Sequence, residues 1–279
     1  MVRELKNGGN PAGASFCMVS MNLYQVLSPD INSGFSGGAE AQQSYIAREF
    51  LGRGLDVSAV CLDYGQDDVT ELEGVAIHKA YAPGEGLPVL RFIYPRLSKI
   101  WGAMKSADAD VYYQRTAGML TGLVAYFCKR YKRTFVYAGA HNTDFQPGSE
   151  LIQYSRDKQF FRYGLRNADL VIAQNVRQAE LLMENYGISA VQIPNCYPRP
   201  KHDENGTLLN SKDILWVSTI RDWKRPAMFM EIARKFPDHH FVMVGGAGSS
   251  VLEKQLYQRI TKDAQEISNL DFAGFVPPN

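Results

Sequence analysis

Two glycine-rich stretches lie where a strand-like pattern passes into a helical one, and both are suited to binding phosphate. The first, GGAE, contains Gly37, Gly38 and Glu40, and the second, GGAGSS, begins with Gly245 and Gly246. A helix start without side chains offers free N–H groups and the positive end of the helix dipole to an anion. A turn that needs a glycine conformation explains the same residues, so both interpretations stay open.

A cluster of cations lies in the sequence TIRDWKRP, after a strand-like segment. Arg221, Lys224 and Arg225 stand directly before a helical pattern that has Pro226 near its first turn. Lys and Arg stabilise negative charge that grows in a transition state, so this position suits a departing diphosphate. A solvated basic turn is the alternative interpretation.

Further candidate residues follow or end strand-like segments. His141, in YAGAHNTDF, can bind a hydroxyl or phosphate, or share a proton with a carboxylate such as Asp144. Capping of the next element is the alternative role for Asp144. Tyr113, Gln114 and Arg115 end the strand-like DVYYQR, a position from which they could line a binding cleft. Packing of the aromatic pair is the alternative interpretation.

Several classes of site and partner do not fit this sequence. The other histidines show no metal-ligand spacing, and P-loop, zinc and Ser-His-Asp signatures are missing, so we expect no metal. The glycines lack the G-x-G-x-x-G spacing of a Rossmann oxidoreductase. Thirty basic and 29 acidic residues give a formal charge of +1, which argues against nucleic acid as the main partner.

The cysteines and the apolar segments indicate a cytoplasmic protein. Four cysteines lie far apart without a C-x-x-C pair, as expected for reduced thiols. The first 15 residues lack the apolar core of a signal peptide. The longest nearly apolar run, residues 118–128, is too short to cross a bilayer, which takes about 20 residues.

These candidates must be positioned by alternating strands and helices, which predict a doubly wound α/β fold with a parallel sheet. We expect a disordered tail over residues 1–14, a first Rossmann-like domain over 15–196 and a linker over 197–212. A second Rossmann-like series over residues 213–279 is shorter than a usual domain, so we expect it to be incomplete.

Five segments taken together resemble the family 4 glycosyltransferases. They are GGAE at 37–40, ADLVIAQNVRQAELLMENYGISAVQIPN at 168–195, ILWVSTIRDWKRP at 214–226, FVMVGG at 241–246 and NLDFAGFVP at 269–277. The resemblance implies a GT-B fold, in which two Rossmann-like domains face each other across a cleft. It implies a retaining, metal-independent transfer of a sugar from a UDP- or GDP-linked donor to the hydroxyl of a glycan or a lipid-linked acceptor. No cofactor is implied beyond this nucleotide-sugar co-substrate.

The resemblance also implies roles for individual residues. His141 would contact the transferred sugar or the acceptor, Lys224 would neutralise the leaving diphosphate, and Arg221 would supply a second cation. Contacts to the donor phosphates or the nucleotide are implied for Gly37, Gly38, Thr219, Gly245 and Gly246. Acceptor-side positions are implied for Glu40, Arg115 and Asp144.

The chain departs from the family pattern in two places. Thr219 stands where the family usually has an Arg, and an E-x7-E element would lie beyond Asn279. We therefore expect a fragment that has weak or no transferase activity by itself. The alternative function is a non-catalytic module of related fold that binds a nucleotide or a sugar.

One further segment raises the question of a membrane. Basic and aromatic residues mix over residues 88–105, and helices of this composition can lie on anionic lipid. A packed helix whose cationic side chains snorkel at its edges is the alternative. Peripheral contact with the inner face of a membrane is therefore an open prediction.

Overall fold

A computed structural model describes residues 13–28, 37–86, 92–198, 212–248 and 250–276. These residues fall into two compact units, the first ending at Pro198 and the second running from residue 212 onward. Most of the predicted N-terminal tail and of the predicted linker lies outside the described residues.

Eight strands form one sheet in the first unit. In chain order they are β1 (Ser15–Val19), β2 (Asp56–Cys61), β3 (Val69–Leu72), β4 (Val75–Lys79), β5 (Val111–Arg115), β6 (Thr134–Ala138), β7 (Leu170–Ala173) and β8 (Val191–Gln192). Their order across the sheet is β3-β4-β2-β1-β5-β6-β7-β8. Every neighbouring pair is parallel except β3 and β4. The fold class predicted from the alternation of elements is therefore confirmed.

The antiparallel edge strand β3 departs from the expected parallel pairing. Glu73 and Gly74 join it to β4, and both have positive φ angles, of 50° and 82°. Two consecutive residues in this conformation form the tight turn that matches the twist of a β-hairpin. The chain therefore reverses at once, without the helical crossover that a parallel pair needs.

Among the described residues of the first unit, six α-helices accompany the sheet. They are α1 (Leu23–Leu27), α2 (Gly38–Gly52), α3 (Ser98–Ala107), α4 (Met119–Tyr131), α5 (Ser155–Arg166) and α6 (Val176–Tyr186). The sequence predicts a helix within residues 88–107, but regular helix begins only at Ser98. Tyr94 is extended, with φ −128° and ψ 126°, because the following Pro95 disfavours a helical conformation at this residue.

The order of the strands reverses beside β1. The chain places β2 on one side of β1 and later places β5 on the other. Met18 of β1 is consequently in register with Ala59 of β2 and with Tyr113 of β5. In open α/β sheets a reversal of this kind leaves a crevice beyond the carboxyl ends of the strands, where ligands bind.

The central strands are buried on both faces, as expected for a parallel sheet covered by helices. All five residues of β5 are buried. The hydroxyl of Tyr112 donates a 2.7 Å hydrogen bond to the carbonyl oxygen of Met104, so this buried ring leaves no unpaired polar group. A rigid strand therefore carries Arg115 to the carboxyl edge of the sheet.

The second unit contains a separate sheet of three parallel strands. They are β9 (Ile214–Val217), β10 (Phe241–Val244) and β11 (Leu270–Gly274), in the order β11-β10-β9. Its helices are α7 (Pro226–Lys235) and α8 (Val251–Ala264). Phe241 and Met243 of the central strand are fully buried in an apolar core together with Ala233 and Ile260. The βαβαβ order matches the second alternating series predicted from the sequence.

Two glycines bring the backbones of α4 and α5 into contact. A Cβ atom added at Gly122 would lie 2.3 Å from the carbonyl oxygen of Phe160. A Cβ atom added at Gly164 would lie 2.4 Å from the carbonyl oxygen of Thr121. Backbone atoms cannot move aside as a flexible side chain can, so this contact requires glycine on both helices.

We expect Gly122→Ala and Gly164→Ala each to lower the free energy of unfolding by about 1–3 kcal/mol, because overpacking forces the helices apart. Gly102→Ala in α3 is the matched control, since a Cβ atom there would meet no atom within 4 Å. This control should raise the free energy of unfolding by up to about 1 kcal/mol. Urea unfolding measures all three. Equal effects of the three substitutions would contradict the close contact.

The cysteines generate a second prediction. Burial raises the pKa of Cys17 and of Cys61 to about 12 and raises that of Cys128 as well, whereas Cys196 is exposed. Because the thiolate is the reactive form, Ellman's reagent should modify one thiol quickly in the folded protein, and Cys196→Ser should remove that reaction. Rapid reaction of two or more thiols per folded chain would contradict this burial.

Candidate functional site

The start of α2 exposes backbone donors. The helix begins at Gly38 with Gly37 as its N-cap, and no side chain of the described residues caps it. Gly37 has φ −83° and ψ 130°, which any residue adopts, and Gly38 does not have a positive φ either. A Cβ atom at Gly38 would meet no atom within 4 Å. Backbone conformation therefore explains neither glycine, and the interpretation as a strained turn is wrong for this stretch.

Two glutamines hold α2 against the carboxyl edge of the sheet. Gln43 is buried, and its Nε2 donates a 3.1 Å hydrogen bond to Oγ of Ser20, which directly follows β1. Gln42 accepts from the backbone N–H of Cys196 at 2.9 Å and donates to the carbonyl oxygen of the same residue at 2.5 Å. The position of the helix start is thus fixed from both sides. Glu40, in the first turn, is half-buried, and the helix dipole favours its charge there.

Arg115 is a buried cation at the carboxyl end of β5. Only 8% of the residue is exposed, its Nε has no hydrogen-bond partner, and no described carboxylate forms an ion pair with it. One Nη donates a 2.8 Å hydrogen bond to Oδ1 of Asn195, whose amide in turn donates to Oε1 of Gln174 at 3.0 Å. Burying a charge without a counter-charge is costly, so this guanidinium suits an anionic ligand.

His141 and Asp144 occupy different environments in the loop after β6. Asp144 is buried, and its carboxylate accepts from the N–H groups of Ala140, at 2.8 Å, and His141, at 3.1 Å. Burial raises the pKa of the Asp144 carboxyl, although these two N–H groups oppose the effect. The His141 residue is exposed. Asp144 therefore shapes the loop that presents His141, and its predicted acceptor contact remains a prediction.

Lys224 is an exposed cation of the second unit. It ends a short 3₁₀ turn over Asp222–Lys224, and its Nζ lies 4.2 Å from the centre of the Trp223 ring. No described carboxylate pairs with it. Arg221 differs, because its Nε lies 3.0 Å from Oε1 of Glu253, within ion-pair range but without hydrogen-bond geometry. Of these two predicted cations, Lys224 is therefore the one whose charge no described carboxylate neutralises.

The glycine stretch after β10 has a packing explanation. A Cβ atom at Gly245 would lie 1.9 Å from the carbonyl oxygen of Ser218, and one at Gly246 would lie 3.2 Å from the Phe275 ring. The backbone N–H of Ile220 donates to the carbonyl oxygen of Gly246 at 2.9 Å. Glycine is thus required where the loops after β9 and β10 meet. The predicted nucleotide contacts of these glycines and of the half-buried Thr219 remain predictions.

The predicted residues separate into two groups, one on each unit. The carboxyl edge of the first sheet carries Gly37, Gly38, Glu40, Arg115, His141 and Asp144, and that of the second carries Thr219, Arg221, Lys224, Gly245 and Gly246. The sequence analysis missed four polar residues of the first edge, namely Gln42, Gln43, Gln174 and Asn195. Gln174 and Asn195 follow β7 and β8 closely, and this position after a strand could have identified them as candidates in the sequence.

Two further findings concern metals and membranes. Within the described ranges, no three His, Cys, Asp or Glu residues gather so that they could hold a metal ion. No helix in the part of the chain that the structure describes is both long and apolar enough to cross a bilayer.

Comparison with known proteins connects this arrangement to an enzyme family. The sequence profile of Glycosyltransferase Family 4 matches residues 36–198. A glycosyltransferase from Rickettsia africae superposes with a TM-score of 0.60 at 16% identity, over 95% of this chain and 69% of that one. No match was found among curated proteins.

Two other solved structures have the same fold at low sequence identity. The E. coli structure described as trehalose-6-phosphate bound with UDP-2-fluoro glucose gives a TM-score of 0.58 at 10% identity, over 94% of this chain and 73% of that one. The S. aureus MnaA–UDP co-structure gives a TM-score of 0.54 at 12% identity, over 95% of this chain and 69% of that one. These likenesses confirm the fold as GT-B. Because the profile covers more than half of the residues, the chain belongs to glycosyltransferase family 4.

Proposed function

We propose that the protein transfers a sugar from a nucleoside-diphosphate sugar to an acceptor hydroxyl, keeping the anomeric configuration and using neither a metal nor a cofactor. The anomeric carbon exchanges its bond to the diphosphate oxygen for a bond to the acceptor oxygen. The acceptor hydroxyl releases its proton to solvent, and the diphosphate leaves with an additional negative charge. Relatives of this fold bound to UDP or to a UDP-sugar support a UDP-linked donor, with a GDP-linked donor as the alternative.

The observation that carries this proposal is the uncapped start of α2 at the point where the strand order reverses. The first N–H groups of a helix have no partner within the helix, and no described side chain caps them here. Gly37 and Gly38 leave these donors accessible to a phosphate oxygen, although neither backbone conformation requires glycine. An anion at this position gains both hydrogen bonds and the favourable end of the helix dipole.

Lys224 supplies the charge that acts during the reaction. An ammonium group stabilises the leaving diphosphate more strongly than the bound donor, because negative charge increases on the phosphate as the bond breaks. The contact with the Trp223 ring restricts where the Lys224 side chain points without neutralising it. Arg221, already paired with Glu253, acts as a weaker second cation.

His141 is the proposed contact to the transferred sugar or to the acceptor. The loop that carries His141 is held by the Asp144 carboxylate, which accepts hydrogen bonds from two consecutive backbone N–H groups. Rigid placement of this kind lets a single imidazole hold a hydroxyl near the anomeric carbon, which lowers the entropic part of the barrier. Asp144 is thus a positioning residue in this proposal.

Arg115 points to the chemistry of the acceptor. A guanidinium that is nine-tenths buried, with a free Nε and no described counter-ion, is completed by a carboxylate or phosphate group. The proposed acceptor is therefore a glycan or lipid-linked glycan that bears an anionic group. A lipid-linked acceptor would require contact with a membrane.

A panel of nucleotide sugars tests the proposed reaction. UDP- and GDP-linked hexoses are incubated with the protein and with anionic and neutral glycan or lipid-linked acceptors, in the presence of EDTA. We expect one donor to be turned over, only weakly as expected for these residues alone, with the α or β configuration retained, as read by NMR of the product. An inverted product, or turnover that needs a divalent metal, would contradict the proposal.

Lys224→Met should lower kcat about 100- to 1,000-fold, in the range of a lost oxyanion donor, and change the Kd of the donor much less. Lys235→Met is the matched control, since Lys235 is an exposed lysine in the last turn of α7. Steady-state kinetics and donor titration measure both. If Lys224→Met weakens binding as much as it slows turnover, or leaves kcat unchanged, the assigned role is wrong.

Arg115→Gln should raise the KM of an anionic acceptor at least about tenfold, as expected for a lost charge-assisted hydrogen bond, and leave donor affinity unchanged. The melting temperature should stay the same or rise, because the substitution removes a buried charge that lacks a counter-ion. Arg234→Gln, an exposed arginine at the end of α7, is the control. A large fall in melting temperature would assign Arg115 a structural role instead.

A further inference from the structure

An apolar groove lies on the helical layer of the first unit, and none of the candidate site residues lines it. It has a volume of about 690 Å³ and runs between α3, α4 and α5. Trp101, Leu123, Tyr126, Phe160 and Tyr163 line it, with Gln159 and Ser98 among the few polar lining residues. Its volume is in the range of pockets that bind small molecules.

The groove is open to solvent along a rim of large side chains. Ile93 is 67% exposed and Tyr126 is 55% exposed, and Tyr94 beside them is 65% exposed. Contiguous exposed apolar surface is unusual on a protein that meets only water. Tyrosine and tryptophan are moreover the residues that favour the boundary between hydrocarbon and water.

The same three helices carry a strong excess of positive charge. The whole chain has a formal charge of +1, but these helices hold eight basic residues and one acidic residue. The basic residues are Lys99, Lys105, Lys129, Arg130, Arg156, Lys158, Arg162 and Arg166, and the acidic one is Asp157. Lys99, Lys158 and Arg162 pair with carboxylates outside these helices, and Arg156 pairs with Asp157.

Four of these cations form no ion pair with any described residue, and each stands one helical turn from a lining residue. Lys105 follows Trp101 by four positions, Lys129 and Arg130 follow Tyr126 by three and four, and Arg166 follows Tyr163 by three. Residues at these spacings share a helix face. The cations therefore border the apolar groove.

We propose that this groove binds the hydrocarbon chain of an anionic lipid while the bordering cations contact the lipid phosphates of a membrane surface. Hydrophobic insertion and a basic patch together give the two signals that stable membrane binding needs. Charge complementarity favours this occupant over a second copy of the chain, because a symmetric contact would bring the same cations together. Lipid binding by the groove does not depend on the proposed transferase function, but its purpose does. A lipid-linked acceptor would reach the enzyme from the same membrane surface.

Sedimentation with vesicles tests lipid binding without a sugar donor or an acceptor. A negative result in the transferase assay therefore does not affect the result of the vesicle assay. Phosphatidylcholine vesicles with phosphatidylglycerol should bind the protein at least about tenfold more tightly than vesicles without it, and salt should weaken the binding. Ile93→Ser/Tyr126→Ser and Lys129→Glu/Arg130→Glu should each lower this binding at least about tenfold. Equal binding to both kinds of vesicle would overturn the proposal.

Matched double variants at exposed sites elsewhere provide the controls. Val176→Ser/Met183→Ser on α6 likewise replaces two exposed apolar side chains by Ser, and Lys254→Glu/Lys262→Glu on α8 replaces two exposed cations by Glu. Both controls should leave vesicle binding unchanged. Equal losses in the groove variants and in the controls would overturn the assignment to the groove. Self-association without vesicles that the groove variants abolish would identify a second copy as the occupant instead.

The fluorescence of Trp101 locates the bound chain. Vesicles whose lipids carry brominated acyl chains should quench the wild-type protein, because Trp101 lines the groove. Trp101→Phe should remove most of that quenching while leaving sedimentation with vesicles unchanged. Quenching that is the same in both proteins would place the lipid chain elsewhere and overturn the proposal.

Discussion

The negative charge of a phosphate group sets the constraint on which the proposed chemistry depends. Such a group must be matched by donors and cations whose hydrogen bonds and charges are not already used by the fold. The uncapped N–H groups at the start of α2 meet this condition, and so does the exposed Lys224. Arg221 meets it less well, because the Glu253 carboxylate already faces its guanidinium.

Asp144 and Arg115, two buried charged residues at the carboxyl edge of the first sheet, differ in how far hydrogen bonds within the fold compensate their burial. The Asp144 carboxylate accepts from two backbone N–H groups, so its burial is compensated inside the loop. The Arg115 guanidinium has one amide partner and a free Nε, so its burial is compensated only in part. Asp144 therefore stabilises its own loop, whereas Arg115 is the residue that we propose binds an anionic group.

Much of the fold follows from local patterns in the sequence. Apolar runs that alternate with helical patterns predict the parallel strands and most helices, because each element must bury one face. The hairpin at Glu73 and Gly74 was not predicted, since a strand of four residues carries little pattern. The break before Ser98 was within reach of sequence reasoning, because Pro95 marks it.

Candidate site residues can be predicted from the sequence only where they follow or end a predicted strand. His141, Arg115 and Lys224 were chosen as candidates because they follow or end predicted strands, where α/β folds bind ligands. Which of these charges are already paired depends on residues distant in sequence. One hydrogen-bond partner of Arg115 is Asn195, 80 positions away, and no local pattern predicts that contact.

Substitution of Gly38 tests the central claim most directly. A Cβ atom at this position meets no protein atom within 4 Å, so Gly38→Ala and the larger Gly38→Val separate ligand approach from folding. Gly52→Ala, at the other end of the same helix with equal space, is the matched control. In calorimetric titration with UDP or GDP, the account predicts at least about a tenfold loss of diphosphate affinity at position 38, as for a lost charge-assisted hydrogen bond, with folding intact. Unchanged affinity in both variants at position 38 would contradict the account.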